Sequence, residues 1–148
     1  MIFLIQKYKN KCLYITGITS LFSFFQFLQW YQTLSQPKIQ EKLLGIYCLI
    51  VWISIILFWK NPIQNSLMHK FDAMIAKSCC IYYIGYTLSQ KTLENIYIWS
   101  FVVCINGMIF TFCLSNRAST KEWCSTDHIF YHGLLHLFAY GLSIHAYL

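Results

Sequence analysis

The last stretch of the chain, residues 127–148, holds four of the five histidines. His128, His132 and His136 are four residues apart, so on an α-helix they form a row on one face. Imidazoles are costly in hydrocarbon, and inside a membrane segment they usually mark a functional site. Two histidines one helical turn apart can bind the same metal ion, and zinc with three protein ligands and one water is the usual hydrolytic arrangement.

The remaining histidine, His69, lies near the start of the third apolar segment of the chain. Ser66, His69 and Asp72 follow one another at three-residue spacing, which spreads them over about a third of a helix circumference. We therefore expect His69, His132 and His136 to be the three zinc ligands. Asp72 would orient an imidazole or take a proton from the metal-bound water, whose pKa can fall to about 7.

Structural interpretations of the same residues stay open at this point. Histidines near the end of a membrane span can simply hydrogen-bond to tyrosines, backbone carbonyls or interfacial water. We expect His128 and His145 to be interfacial residues of this kind. Asp72 can pair with a nearby cation such as Lys77. A haem or ion-conducting bundle is a further alternative, but bis-histidine haem needs ligands on facing helices and only His69 lies off the last segment.

The composition defines the class of protein. The 148 residues are 57% hydrophobic and 11% charged, whereas soluble domains average about 25% charged residues. This predicts an all-α, multi-pass transmembrane helical bundle of about five spans, forming a single integral membrane domain over residues 1–148. The seven cysteines include no C-x-x-C pair, which argues against a disulfide framework and a cysteine zinc site.

The net charge of +6 comes from scattered lysines without a basic stripe, so we expect membrane lipids, among them a lipid substrate, and not nucleic acid as partners. The sequence leaves the oligomeric state unknown.

Five apolar segments predict the membrane spans, at about residues 12–31, 43–59, 66–89, 96–114 and 127–147. Asn65 or Ser66 is expected to cap the third helix, and Lys77 inside it could snorkel toward the headgroups. Most cations, including Lys7, Lys9 and Lys11, precede the first span or lie in the second and fourth loops. The positive-inside rule then predicts a cytoplasmic N-terminus and a C-terminus on the opposite side. It also places the starts of the third and fifth helices on the same, cytoplasmic side.

Two short motifs carry a resemblance. The stretch from His132 to His136, H-G-L-L-H followed by L-F-A, is similar to the last helix of the CREST superfamily of membrane hydrolases, which includes alkaline ceramidases, progestin and adipoQ receptors and hemolysin III-type proteins. The stretch K-F-D-A-M-I-A-K around Asp72 resembles the start of that family's third helix.

The resemblance implies zinc bound through three histidines, with a serine and an aspartate around the metal-bound water. It makes His132 and His136 ligands and Asp72 the aspartate, and we take Ser66 as the candidate serine. The expected activity is hydrolysis of a lipid amide or ester near the cytoplasmic face. Two features depart from the family, which typically has seven spans and carries S-x-x-x-H at the end of its second helix. Here Ser54 is followed four residues later by Phe58. The alternative is a non-enzymatic structural or partner-binding membrane protein with a degenerate site.

Overall fold

A computed structural model describes the backbone of residues 2–91 and 95–148 and the side chains of residues 17–91 and 97–148. The prediction of an all-helical chain is confirmed, since the described residues form five helices and contain no strand. The helices are α1 (Ile2–Thr33), α2 (Ile39–Lys60), α3 (Leu67–Gln90), α4 (Asn95–Lys121) and α5 (Thr126–Tyr147). The side chains of Lys7, Lys9 and Lys11, used for the topology prediction, lie outside the described residues.

Two of these helices are long and apolar enough to cross a membrane by their length and composition. They are α2 and the part of α4 from Tyr97 to Lys121, and the test covers only the described part of the chain. These two helices give coarse support to a membrane location. The crossing of a membrane by all five helices remains a proposal.

The loop sequences explain where α2 ends and α3 begins. Lys60 is the last residue of α2, and Pro62 two residues later has no N–H with which to continue a helix. Asn65 then takes a left-handed backbone with φ of 61°, which turns the chain into α3. Ser66 is the N-cap of α3, because its side chain accepts a hydrogen bond from the backbone N–H of His69. The prediction of a cap at Asn65 or Ser66 is thus confirmed, at Ser66.

Helix α5 packs against most of the other helices. α5 packs against α1, α3 and α4, whereas α2 packs against α1 and α3. Helices α1, α2, α3 and α5 therefore form a closed ring, and α4 lies outside that ring against α5. The sequence region with the histidines is accordingly the region that contacts most of the other helices.

A buried network of hydroxyls closes the ring at the end where α5 finishes. The Ser23 hydroxyl of α1 is 2.7 Å from that of Ser143 and 3.3 Å from that of Tyr147, both on α5. Tyr83 of α3 is 2.5 Å from the Tyr147 hydroxyl and donates to the thiol of Cys48 on α2. Buried polar groups that all find partners specify one arrangement of the helices around them. This network thus fixes the four ring helices relative to one another.

Candidate functional site: a cavity lined by histidines

A cavity of about 570 Å³ lies inside the bundle, and residues of all five helices line it. Its volume falls within the range of small-molecule binding sites. Helices α3 and α4 both contribute to its wall, yet in the described part of the chain they make no backbone contact with each other. The backbones of α3 and α4 therefore leave a gap along this side of the cavity. At this opening the Lys77 ammonium lies 5.6 Å from the centre of the Phe112 ring, a cation–π contact from α3 to α4.

Asp72, which lines the cavity, forms a buried pair with Ser54. Ser54 of α2 donates a hydrogen bond of 2.8 Å to the Oδ1 atom of Asp72 on α3, and the same hydroxyl is 3.0 Å from the carbonyl of Val51. The two side chains are 2% and 8% exposed. The sequence singled out Asp72, either to act on an imidazole or the metal-bound water or to pair with a cation such as Lys77. In the structure the hydrogen-bond partner of Asp72 is Ser54.

The histidines of α5 form a row along the cavity wall, as the spacing predicted. The ring centres of His128 and His132 are 5.7 Å apart, and those of His132 and His136 are 4.9 Å apart. Trp59 of α2 packs edge-on against His132 at 5.0 Å. The Nδ1 atom of His132 is 3.3 Å from the Ser115 hydroxyl of α4. The row thus contacts side chains of both α2 and α4.

His69 and His128 share one structural role that the sequence analysis did not foresee. His69 is the third residue of α3, and its Nδ1 atom accepts a 3.0 Å hydrogen bond from the backbone N–H of Asn65. His128 is the third residue of α5, and its Nδ1 atom accepts a 3.1 Å bond from the backbone N–H of Cys124. Each histidine also donates its own N–H to the N-cap serine. This arrangement resembles a capping box, except that histidine replaces the usual Glu or Gln and accepts from the residue before the N-cap.

Trp123 connects the two caps. Its ring centre is 5.0 Å from that of His69 and 4.7 Å from that of His128, and its indole N–H donates to the carbonyl of Pro62. The loop before α3 and the loop before α5 are therefore in contact. This agrees with the charge pattern, which placed the starts of these two helices at the same end of the bundle.

The zinc prediction can be compared with this geometry. Among the described residues, no group of three or more His, Cys, Asp and Glu side chains lies close enough to hold one metal ion. His69 accepts a hydrogen bond at Nδ1, so in the neutral ring the proton is on Nε2, where it blocks coordination. Ligation by His69 would break its cap. Ser66 is likewise engaged, as the N-cap of α3. The residues present thus do not fit a three-histidine zinc site in this arrangement, and the zinc site stays a prediction.

Phe58 follows Ser54 by four residues, the spacing at which the resemblance predicts a histidine. Its ring is 1% exposed, lines the cavity and stacks on the imidazole of His69 at 5.1 Å with an interplanar angle of 11°. The ring of Phe58, which cannot bind a metal ion, therefore lies in the part of the cavity where the resemblance predicts a ligand from α2. Asp72, His132 and His136 line the same cavity.

Two nitrogen atoms in the cavity wall are buried without a hydrogen-bond partner. They are the indole Nε1 of Trp59 and the imidazole Nε2 of His136. Leaving a buried donor or acceptor unpaired costs about 1–3 kcal/mol, so such groups are rare unless something else satisfies them. The sequence predicts a role for His136 but none for Trp59. No sequence signal distinguishes Trp59 from the other tryptophans.

Two further histidines, His145 and His128, are buried inside the bundle. His145 is 6% exposed, and its Nε2 atom is 3.0 Å from the Ser100 hydroxyl of α4, so it joins α4 to α5. His128 is 3% exposed and acts as a cap. The burial of His145 comes from α4, which packs along that side of α5.

No protein-family model matches this chain, and neither a curated protein nor a solved structure is significantly similar to it. The resemblance to the CREST hydrolases therefore stands on the two short motifs alone.

Proposed function

We propose that this chain is a multi-pass membrane protein that binds a lipid in the cavity between α3 and α4. The polar part of the lipid lies between Trp59 and His136, and an acyl chain leaves the bundle through the lateral opening. Binding itself, without turnover, is the function that the geometry supports best. It corresponds to the partner-binding alternative with a degenerate catalytic site.

The observation that carries the proposal is the pair of unpartnered nitrogens in the cavity wall. The Trp59 indole can only donate a hydrogen bond, so its partner must be an acceptor such as a carbonyl, ester or phosphate oxygen. The His136 Nε2 atom requires a second polar atom. The rest of the wall is mostly apolar, with side chains such as Ile84, Ile105 and Leu135. A molecule with a polar head and an apolar chain satisfies both parts of the wall.

The lateral opening supports a ligand that arrives from the bilayer. On the α3 side of the cavity, the lining residues Ala73 and Ala76 are small. On the α4 side, Ile109 and Phe112 face the same opening. A lipid entering here would pass the contact between Lys77 and Phe112. Lys77 then lies where it can pair with an anionic or zwitterionic headgroup.

In this proposal all five helices cross the membrane, with the N-terminus in the cytoplasm and the C-terminus on the opposite side. Helices α1, α3 and α5 have 32, 24 and 22 residues, and about 20 residues suffice to span the hydrocarbon. The cations next to the two loops that meet at Trp123, among them Lys60 and Lys121 at the ends of α2 and α4, support a cytoplasmic position for this end of the bundle.

A second candidate function is zinc-dependent hydrolysis of a lipid amide or ester. The observation favouring it is that one cavity is lined by Asp72, His132 and His136. Ser54 adjoins this cavity through its hydrogen bond to Asp72. Bound zinc would supply an activated water there. The arrangement offers two imidazoles without a third. His69 is engaged in its cap, and Phe58 stands where α2 would have to provide a histidine. We therefore place hydrolysis second.

Photolabelling tests lipid binding. The protein, reconstituted in bilayers, is labelled with a single-chain lipid that carries a diazirine in its acyl chain, and labelled peptides are identified by mass spectrometry. We expect labels on α3 and α4 residues that line the cavity. Ala76→Phe fills the cavity and should remove these labels, whereas Met74→Phe, on an exposed position of the same helix, should leave them unchanged. Labels confined to outward positions in all three proteins would overturn the proposal.

Elemental analysis separates the two candidates. Purified protein is compared with a His132→Ala/His136→Ala double variant for zinc content and lipid hydrolysis. About one zinc per chain that is lost in the variant, together with turnover, would replace binding by hydrolysis as the function. Specific photolabelling without stoichiometric zinc would support binding alone.

A further inference from the structure

The outer face of α4 carries a stripe of exposed residues at alternating spacings of four and three. Its members are all exposed and lie on the side of α4 away from α5: Trp99, Val103, Asn106, Phe110, Cys113 and Arg117. We call these six residues the α4 outer stripe. Alternating four- and three-residue spacing keeps one face of a helix against a second helix along its whole length.

Helix α4 has few neighbours inside its own chain. It packs only against α5 among the described helices, and 17% of its most apolar window is buried, compared with 39% for α2. Most of the surface of α4 is therefore available to lipid or to another protein. Apolar exposure alone is normal for a membrane helix, because lipid tails are as apolar as leucine.

Asn106 is what distinguishes this face. It is exposed, near the middle of the apolar part of α4, and its amide nitrogen donates a 2.8 Å hydrogen bond to the carbonyl of Val102 in the same helix. Its side-chain oxygen accepts no hydrogen bond from the described residues. Hydrocarbon offers no donor to that oxygen, and polar side chains in this position associate helices by hydrogen-bonding across the interface.

A carboxamide is complementary to a copy of itself, because each amide can donate to the other's oxygen. In a parallel pair of identical helices related by a two-fold axis, every stripe residue meets its own counterpart. Asn106 lies within the stripe, with apolar Val103 and Phe110 on either side of it. The partner that satisfies the Asn106 amide and the apolar residues on either side of it is a second copy of α4.

We propose that this protein forms a parallel homodimer through the α4 outer stripe, held by reciprocal hydrogen bonds between the two Asn106 side chains. The interface lies on the side of α4 away from α5 and is independent of the lipid-binding proposal. Each subunit keeps its own lateral opening, since Phe112 lies off the stripe and faces α3.

Cys113 provides a direct test, because it belongs to the stripe and is exposed. In the proposed dimer the two Cys113 residues are counterparts two helical turns from the Asn106 pair, close enough to form a disulfide. The protein is reconstituted in bilayers at high lipid excess and oxidised with copper phenanthroline and oxygen. We expect a disulfide-linked dimer that is absent from Cys113→Ser. Moving the thiol off the stripe, with Cys113→Ser combined with Phe112→Cys, should also abolish cross-linking.

The role of Asn106 is tested by two substitutions measured by Förster transfer between labelled subunits. Asn106→Leu should weaken dimerisation by about three- to thirtyfold, the range expected for interhelical hydrogen bonds in membranes, while Asn106→Gln should largely retain it. A wild-type protein that is monomeric in bilayers would show that lipid alone covers this face and would overturn the proposal. So would a dimer cross-linked through residue 112, or one that Asn106→Leu leaves unchanged.

Discussion

His69 and His128 occupy equivalent positions in two copies of the same helix cap. Each is the third residue of its helix, and each accepts a hydrogen bond at Nδ1 from the backbone N–H four residues earlier. The donors, Asn65 and Cys124, have φ angles of 61° and 59°. The ring of Trp123 packs against both imidazoles. The equivalence matters because the sequence analysis gave the two histidines different roles, a zinc ligand and an interfacial residue.

The first prediction follows from this equivalence. His69→Ala and His128→Ala each remove one cap hydrogen bond and one aromatic contact to Trp123, so each should lower stability by about 1–2 kcal/mol. Neither change should alter the metal content. Thermal unfolding in detergent and elemental analysis of the two variants check this. A loss of bound zinc in His69→Ala but not in His128→Ala would instead identify His69 as a ligand.

The cap could have been predicted only in part. Ser66 and Ser125 each precede a histidine by three residues, which is the spacing of a capping box, and the cap at Ser66 was anticipated. The bond to the imidazole was not, because it depends on the left-handed backbone of Asn65 and Cys124, and neither residue type requires that conformation.

Tertiary contacts explain most of the remaining differences between sequence and structure. The histidine row and the number of helices follow from local spacing and composition. The pairing of Ser54 with Asp72 depends on the relative register of α2 and α3, which no periodicity within either helix determines. The burial of His145 likewise depends on which side of α5 the fourth helix covers.

The second prediction concerns the Ser54–Asp72 pair. Ser54→Ala leaves the buried Asp72 carboxyl without its only described side-chain donor. We expect the free energy of unfolding to fall by about 1–3 kcal/mol. Asp72→Asn keeps an oxygen that can accept the same bond, so its loss should be smaller. Unfolding by sodium dodecyl sulfate titration shows which of the two variants is the less stable. If Asp72→Asn proved the more damaging change, the negative charge itself would be required, which would favour a metal-linked role.

The third prediction tests whether Phe58 is what prevents a metal site. Phe58→His creates S-x-x-x-H on α2 and adds an imidazole to the cavity that Asp72, His132 and His136 already line. We expect the variant to bind about one zinc ion per chain and the wild type to bind clearly less, because tetrahedral sites need three protein ligands. Zinc titration followed by elemental analysis measures both. Phe58→Leu is the control, since it also removes the stack on His69 but adds no ligand.

Two results would contradict this third prediction. Equal zinc binding by wild type and Phe58→His would mean that the wild-type chain finds its third ligand elsewhere. Zinc binding by neither would mean that the rings of His132 and His136 cannot both turn toward residue 58.

The fourth prediction concerns the close packing of α1 against α2. A Cβ atom at Gly45 would collide with the ring of Phe27, which is 5% exposed and held by Tyr31 and Tyr147 at ring distances of 5.3 and 5.9 Å. Because that ring cannot move aside, Gly45→Ala should cost about 1–3 kcal/mol. Gly85→Ala is the matched control, since open space surrounds that position and alanine favours the helix by about 0.5–1 kcal/mol. Thermal unfolding should therefore shift down for the first variant and not for the second. Equal midpoints for the two would show that α1 and α2 are not packed as closely as the contact between Gly45 and Phe27 requires.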